Sequence, residues 1–132
     1  MKIAIDMDNT IIDELGSTLR PGIICFLEEL SSRHELILWT NSRRIRAMEI
    51  LDHFDLRKYF VKLISRENYD TEEKGLHKNI REYDYDILID DDFEEIEYTN
   101  KVGKTGILIE AYRKNKTINE HELKEIIREY RL

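Results

Sequence analysis

Five short apolar runs, three of which end in acidic or hydroxyl-bearing residues, constrain the fold of this chain more than any other feature. They are Lys2–Asp6, Glu35–Thr40, Val61–Ile64, Asp86–Asp90 and Gly106–Tyr112. Runs of this length suit buried strands better than helices. The segments between them favour helices, and such alternation predicts a parallel sheet covered on both faces. We therefore expect an α/β fold: a Rossmann-like, three-layer α/β/α arrangement with a mostly parallel five-stranded sheet.

The helices are predicted from apolar residues that recur three or four positions apart. The predicted helices are Pro21–Ser32, a helix from an N-cap at Ser42 to about His53, a short helix over Leu76–Tyr83, Phe93–Asn100, and Asn119–Arg131. In the last helix, Asn119 and Glu122 have the spacing of a capping box. The polar segment Ser65–Glu73 is predicted to be a loop.

Length and charge exclude several classes of protein. The 132 residues suit one domain, residues 1–132. The net charge of −7 makes binding to a nucleic-acid backbone unfavourable. No apolar run approaches the roughly 20 residues that span a bilayer, so we expect a cytoplasmic protein without a membrane partner. The single cysteine, Cys25, excludes an internal disulfide, and the apolar pattern around it predicts a buried position.

Polar side chains follow three of the predicted strands. Asp6 and Asp8 follow the first, Thr40 the second, and Asp90 and Asp91 the fourth. Each group alone is typical of a helix N-cap or a turn, but their joint occurrence favours a site, because ligands bind beyond the carboxyl ends of parallel strands. Clustered carboxylates call for a divalent cation or a lysine. Ligands that are all oxygen indicate Mg²⁺.

These strand ends resemble the motifs of the haloacid dehalogenase (HAD) superfamily. DMDNT, which begins at Asp6, resembles the first motif, LILWTNS the second and ILIDDD the fourth. The segment LRPGIICFLEELSSRHELILWTNS is similar to the phosphatases of the RNA polymerase II C-terminal domain and to their NLI-interacting-factor-like relatives. The resemblance covers the chain from Lys2 to about Tyr112 and implies a HAD-like core.

The resemblance implies that the protein is a phosphatase and assigns roles to the residues of its motifs. Asp6 would be the nucleophile that forms an aspartyl-phosphate. Asp8 would protonate the leaving oxygen and later activate water. Thr40 would donate a hydrogen bond to a phosphoryl oxygen, and Asn41 would also bind the substrate.

The resemblance also implies a Mg²⁺ site. Its ligands would be Asp6, the backbone carbonyl of Asp8 and an aspartate of the fourth motif. Asp91 falls on the metal-ligand position of the polymerase phosphatases, whereas broader relatives use the position of Asp90. Both aspartates therefore remain candidate ligands.

A lysine is expected to offset the negative charge of the phosphoryl group and of Asp6. Lys74-Gly75-Leu76 stands where the polymerase phosphatases have Lys-Asp-Leu, so the resemblance makes Lys74 the preferred catalytic and substrate-binding lysine. Gly75 departs from that pattern. Lys78, one helical turn further along, and Lys62 are the alternatives.

No cap domain fits between these motifs, because predicted core elements fill the intervals. Ile11–Leu19 is predicted to be a short flap over an otherwise open site. Such a site suits a phosphoprotein or a nucleic-acid end, or needs a homo-oligomer partner as a lid. Arg43, Arg44 and Arg46 could attract an anionic substrate, although a charged helix surface is the ordinary explanation.

The sequence therefore predicts a Mg²⁺-dependent phosphomonoester hydrolase with an open site, acting on a phosphorylated protein. A phosphatase of small phosphomonoesters or nucleotides is one alternative. A catalytically silent Mg²⁺-binding protein is another, although the intact Asp6 argues against it. A receiver domain shares this chemistry, but its lysine follows the last strand.

Overall fold

A computed structural model describes residues 1–132, and at its centre lies a parallel sheet of five strands. The strands are β1 (Lys2–Ile5), β2 (Glu35–Trp39), β3 (Lys62–Ile64), β4 (Ile87–Asp90) and β5 (Thr105–Leu108). Their order is β3-β2-β1-β4-β5, and every neighbouring pair is parallel. The predicted sheet is confirmed, with shorter strands than the apolar runs suggested.

Five helices connect or follow the strands. They are α1 (Ile23–Ser31), α2 (Arg44–His53), α3 (Arg66–Tyr69), α4 (Phe93–Lys101) and α5 (Glu122–Tyr130), with 3-10 turns at Arg57–Tyr59 and Ile80–Tyr83. No helix is long and apolar enough to cross a membrane. Residues 1–132 contain no separate cap domain above the sheet.

The two faces of the sheet pack against different elements, which gives the predicted three layers. Alternate strand residues such as Ile5 and Ile89 pack with α1, α2 and α5 in the larger cluster of buried side chains. Their neighbours, such as Ala4 and Leu88, pack on the other face with α4 and the 3-10 turn that begins at Ile80. Period-two alternation therefore divides the core, as expected for strands buried on both faces.

Two predictions about the segment between β3 and β4 are wrong. Most of the predicted helix over Leu76–Tyr83 is irregular, and only its last four residues form a 3-10 turn. The predicted loop Ser65–Glu73 contains α3, whose capping box is formed by Ser65 and Asn68. In such a box each side chain accepts a hydrogen bond from the other residue's backbone N–H, which has no intrahelical partner.

Three details of the helices also differ from the predictions. The N-cap of α2 is Arg43 and not Ser42. Helix α5 starts at Glu122 without a capping box, because the carboxylate of Glu122 instead accepts hydrogen bonds from the backbone N–H of Glu110 and from Arg20. Cys25 is exposed on α1 and not buried.

Candidate active site

The carboxyl ends of β1, β2 and β4 meet at one open cleft of about 540 Å³. Asp6 follows β1, Thr40 follows β2, and Asp90 ends β4. These three side chains line the cleft together with Asp8 and Asp91, and nearly all of the lining is polar. Because β1 lies between β2 and β4, the cleft opens where the strand order changes direction, the usual ligand position in such sheets.

Lys78 lies at the most buried point of the cleft. Its Nζ donates to Asp6 Oδ1 and to Asp90 Oδ2, each at 2.7 Å. The side chain of Lys78 is 6% exposed, and those of Asp6 and Asp90 are 9% and 2% exposed. Burial lowers the pKa of Lys78, but the two carboxylates outweigh that effect and hold it above its usual value.

Burial acts on the two carboxylates in the opposite direction. It raises the pKa of Asp6 to about 6, although the charge of Lys78 works against it. Burial, followed by the charge of Asp6, raises the pKa of Asp90 to about 7. The site therefore holds its carboxylates at a free-energy cost that a bound cation would relieve.

The preference for Lys74 over Lys78 is wrong in this structure. The side chain of Lys74 is 65% exposed, and its Nζ pairs with Glu72 at 2.6 Å, away from the buried aspartates. The cause lies in the backbone, because the carboxylate of Asp70 accepts hydrogen bonds from the N–H groups of Lys74, Gly75 and Leu76.

Lys62, the other alternative, is also outside the site. It is exposed on β3, and its Nζ lies 5.0 Å from the centre of the Tyr83 ring.

Asp8 lies in the cleft, but its carboxylate turns to Arg46 of α2. Arg46 binds both carboxylate oxygens of Asp8, at 2.8 and 3.0 Å, and it also donates to Ser42 Oγ at 3.0 Å. The Asp8 and Arg46 side chains are 33% and 38% exposed, so the pair lies near the mouth of the cleft. Of the three candidate arginines, Arg46 is thus the one that contacts a predicted site residue.

Asp6, Asp90 and Asp91 form a group whose carboxylate oxygens lie within 4.8 Å of one another. Asp90 uses one oxygen for Lys78 and the other for the backbone N–H of Asp92, whereas Asp91 Oδ1 accepts only the Thr10 hydroxyl, at 3.2 Å. Carboxylate oxygens in this number fit Mg²⁺. The carboxylate of Asp8 is outside the group, because Arg46 binds it.

The residues after β2 form the opposite wall of the cleft. Thr40 is buried, and its Oγ1 accepts the backbone N–H of Ser42 at 3.0 Å, which leaves the hydroxyl proton free to donate. Asn41 is exposed and also lines the cleft. Thr40 and Asn41 therefore lie where a ligand in the cleft can contact them.

Arg20 is a residue of the site region that the sequence reasoning missed. It is fully buried and donates to the backbone carbonyls of Asn9, Thr10 and Glu110. Asn9 has a φ of 64°, a left-handed conformation that asparagine tolerates well. The buried guanidinium of Arg20 fixes the loop after Asp6. The sequence feature that indicated it was the position of Arg20 between Leu19 and Pro21-Gly22.

The segment Ile11–Leu19 does not form the predicted flap. Ile11 and Ile12 are in the core, and no residue of the segment lines the cleft. Its turn forms around Asp13, whose carboxylate accepts hydrogen bonds from the backbone N–H groups of Leu15 and Ser17 and from the Ser17 and Thr18 hydroxyls. The cleft is consequently open on this side.

Solved structures with similar folds include hydrolases, phosphatases and a protein described as a putative β-phosphoglucomutase. Fcp1, described as an essential RNA polymerase II CTD phosphatase, aligns with a TM-score of 0.69 and 18% identity over 98% of this chain and 48% of its own. A beryllium-fluoride-bound variant of fission yeast Fcp1 aligns with a TM-score of 0.68 and 17% identity over 97% of this chain and 49% of its own. A hydrolase from Streptococcus pneumoniae TIGR4 aligns with a TM-score of 0.61 and 16% identity over 87% of this chain and 58% of its own.

The present chain thus spans about half to three fifths of the length of these structures. None of the curated protein sequences matches it.

The five-stranded parallel sheet, with paired aspartates beyond β1 and β4, defines the chain as a HAD-like α/β protein. The chain belongs to the NLI interacting factor-like phosphatase family, whose sequence model matches residues 2–131. The resemblance seen in the motifs is thereby confirmed, as is the predicted membership of a phosphatase family.

Proposed function

We propose that this phosphatase hydrolyses phosphomonoesters through an aspartyl-phosphate on Asp6, with Asp8 as the general acid and base and Mg²⁺ as the cofactor. The observation that carries the proposal is the environment of Asp6. Its Oδ1 accepts Lys78 at 2.7 Å and its Oδ2 accepts the Thr10 hydroxyl at 3.0 Å, so the carboxylate is fixed at the base of an open polar cleft. A fixed carboxylate beside a cation suits attack on a phosphoryl group.

In the first half of the reaction, an oxygen of Asp6 attacks phosphorus while the bond from phosphorus to the leaving oxygen breaks. Asp8, turned away from Arg46 and protonated, gives its proton to that oxygen, which leaves as an alcohol. Thr40 donates a hydrogen bond to a phosphoryl oxygen, and Asn41 lies beside it. Lys78 offsets the negative charge that the phosphoryl group brings close to Asp6.

In the second half, water attacks the phosphorus of the aspartyl-phosphate and the bond to Asp6 breaks. Asp8 takes the proton from that water, so inorganic phosphate leaves and both aspartates return to their starting states. Asp8 must turn from Arg46 toward the phosphorus for these steps. Its partial exposure at the mouth of the cleft gives room for that movement.

Asp6 and Asp91 would hold Mg²⁺ together with the backbone carbonyl of Asp8. Of the two aspartates of the fourth motif, Asp91 is the more suitable ligand, because only its Oδ1 accepts a hydrogen bond, whereas both oxygens of Asp90 do. When bound, Mg²⁺ neutralises charge on the phosphoryl oxygens.

A phosphorylated protein is the substrate class that we propose. The cleft is open and polar and carries no cap domain, so a side-chain phosphate on a large partner can enter it. The similarity in fold to a polymerase CTD phosphatase supports the same class. Turnover of phosphoserine and phosphothreonine peptides, compared with turnover of nucleotides and sugar phosphates, tests this choice.

The mechanism is tested by hydrolysis of p-nitrophenyl phosphate with and without Mg²⁺. Asp6→Asn and Asp8→Asn keep the shapes of the side chains, and we expect kcat to fall by about 1,000-fold or more in the first. Asp84→Asn is the matched control, because the Asp84 side chain is 89% exposed and lies outside the cleft. Undiminished turnover in Asp6→Asn would exclude Asp6 as the nucleophile. Mg²⁺ binding without turnover of any phosphomonoester would favour a silent binding protein.

A further inference from the structure

The backbone that carries Lys78 has no regular structure, although the side chain reaches the most buried point of the site. Residues 73–79 form neither helix nor strand. Intrahelical or ladder hydrogen bonds therefore do not fix the position of Lys78. The Nζ atom nevertheless lies 2.7 Å from two different carboxylates, so other contacts must hold this part of the backbone.

Two carboxylates supply those contacts, one at each end of the irregular segment. Asp70 accepts the N–H groups at its start. At its end, Glu95 Oε2 accepts the backbone N–H of Lys78 at 2.8 Å, and Glu95 Oε1 contacts His77 Nδ1 at 3.0 Å. Glu95 is thus the side chain from another element that binds the backbone of Lys78 itself.

Glu95 is well suited to this role because it belongs to α4, which begins directly after the aspartates of β4. The side chain of Glu95 is 14% exposed, and its backbone carbonyl accepts the Thr99 hydroxyl at 2.9 Å. The ring of His77 stacks on Tyr98 of the same helix, with 4.6 Å between ring centres. Two residues of α4 therefore contact the segment that carries Lys78, Glu95 by hydrogen bonds and Tyr98 by stacking.

We propose that Glu95 is a positioning residue, which holds the backbone of Lys78 so that its ammonium group bridges Asp6 and Asp90. This inference rests on the proposed role of Lys78 in phosphoryl transfer. A lysine has four rotatable side-chain bonds, so a displaced backbone allows its ammonium group to leave the bridge. Small displacements of charged groups lower the rate of a reaction that depends on positioning and electrostatics.

The kinetic test compares three variants of α4 in Mg²⁺-dependent hydrolysis of p-nitrophenyl phosphate. Glu95→Ala removes both hydrogen bonds, and we expect kcat to fall by about 10-fold to 100-fold while KM changes by less than about threefold. Glu95→Gln keeps an acceptor oxygen for the Lys78 N–H and should retain at least about a third of the wild-type kcat. Glu97→Ala is the matched control, because Glu97 is exposed on the same helix.

A second measurement needs no turnover. Acetylation of lysines by a small reagent in metal-free buffer is followed by mass spectrometry of the peptides. Lys74, which is 65% exposed, serves as the internal reference, whereas Lys78 is 6% exposed. We expect Lys78 to be protected in the wild type, Glu95→Gln and Glu97→Ala, and to be acetylated at least about 10-fold faster in Glu95→Ala.

The two measurements separate this inference from the proposed function. If the wild type hydrolyses no phosphomonoester, the proposed function fails, and the labelling alone decides whether Glu95 positions Lys78. A kcat of Glu95→Ala within twofold of Glu97→Ala would overturn the inference. Unchanged protection of Lys78 in Glu95→Ala would overturn it as well, and so would equal losses of kcat in Glu95→Ala and Glu95→Gln.

Discussion

Replacing Asp6, the proposed nucleophile, is expected to make the metal-free protein more stable. Asp6 is buried, and its pKa is raised from 3.8 to about 6, chiefly by burial and against the attraction of Lys78. Each pKa unit corresponds to about 1.36 kcal/mol, so ionised Asp6 costs the folded state about 3 kcal/mol at pH 7. Asp6→Asn removes this cost and preserves the shape of the side chain.

The hydrogen bonds around Asp6 allow the amide to fit. Its carbonyl oxygen can accept Lys78, and its NH₂ group can donate to the Thr10 hydroxyl, which also contacts Asp91. We therefore expect Asp6→Asn to raise the free energy of unfolding by about 2 to 3 kcal/mol at pH 7 while it abolishes turnover.

The stability difference between Asp6→Asn and the wild type depends on pH in a direction that follows from the raised pKa of Asp6. Because the folded-state pKa of Asp6 is raised, ionisation destabilises the fold as pH rises from about 4 to above 6. The advantage of Asp6→Asn should therefore be full at pH 7 and nearly absent at pH 3, where the carboxyl is protonated in both states. Urea unfolding in the presence of a chelator measures it. Two results would contradict a burial cost at Asp6. One is an Asp6→Asn variant no more stable than the wild type at pH 7, and the other is an equal gain in its free energy of unfolding at pH 3 and pH 7.

Three further predictions concern Asp13, the two candidate lysines and Asp91. Burial raises the pKa of Asp13, but hydrogen bonds from its own turn outweigh burial and hold the pKa well below its usual range. Asp13→Asn should therefore destabilise the protein in urea by about 2 kcal/mol at pH 7, with the difference shrinking as Asp13 is protonated; no loss would contradict this. Lys78→Met should lower kcat by at least about 100-fold and Lys74→Met by less than twofold; the reverse order in steady-state kinetics would restore Lys74. Asp91→Asn should weaken Mg²⁺ binding by about 10-fold or more in calorimetry, and an unchanged affinity would remove Asp91 from the ligand set.

Much of the fold and the aspartate cluster were predictable because they follow from local patterns. Each apolar run is long enough for one buried strand, and parallel strands bring their carboxyl ends to one edge. Asp6, Thr40 and Asp90 therefore converge whatever the details of the loops. The chemistry of that edge follows from the residue types that end the strands.

The lysine was not predictable, because its position depends on contacts between residues far apart in sequence. Asp70 turns the backbone at Lys74, and Glu95 holds it at Lys78 from α4, the helix that follows β4 in the chain. Neither contact has a periodic signature. The predicted capping box of Glu122 is absent for a similar reason. The buried guanidinium of Arg20 and the backbone N–H of Glu110, in the loop after β5, donate hydrogen bonds to its carboxylate.

Trapping an aspartyl-phosphate tests whether Asp6 is the nucleophile. Asp8→Asn lacks the proposed base that activates water, whereas p-nitrophenolate leaves without a proton from an acid, so the aspartyl-phosphate should form and persist after reaction with p-nitrophenyl phosphate and Mg²⁺. Borohydride reduction followed by peptide mass spectrometry locates the acyl-phosphate. We expect modification of Asp6 in Asp8→Asn, and no modification at that position when Asp6→Asn is added. Modification of another residue, or substrate turnover by the wild type with no trapped aspartate in Asp8→Asn, would contradict the assignment of Asp6 as the nucleophile.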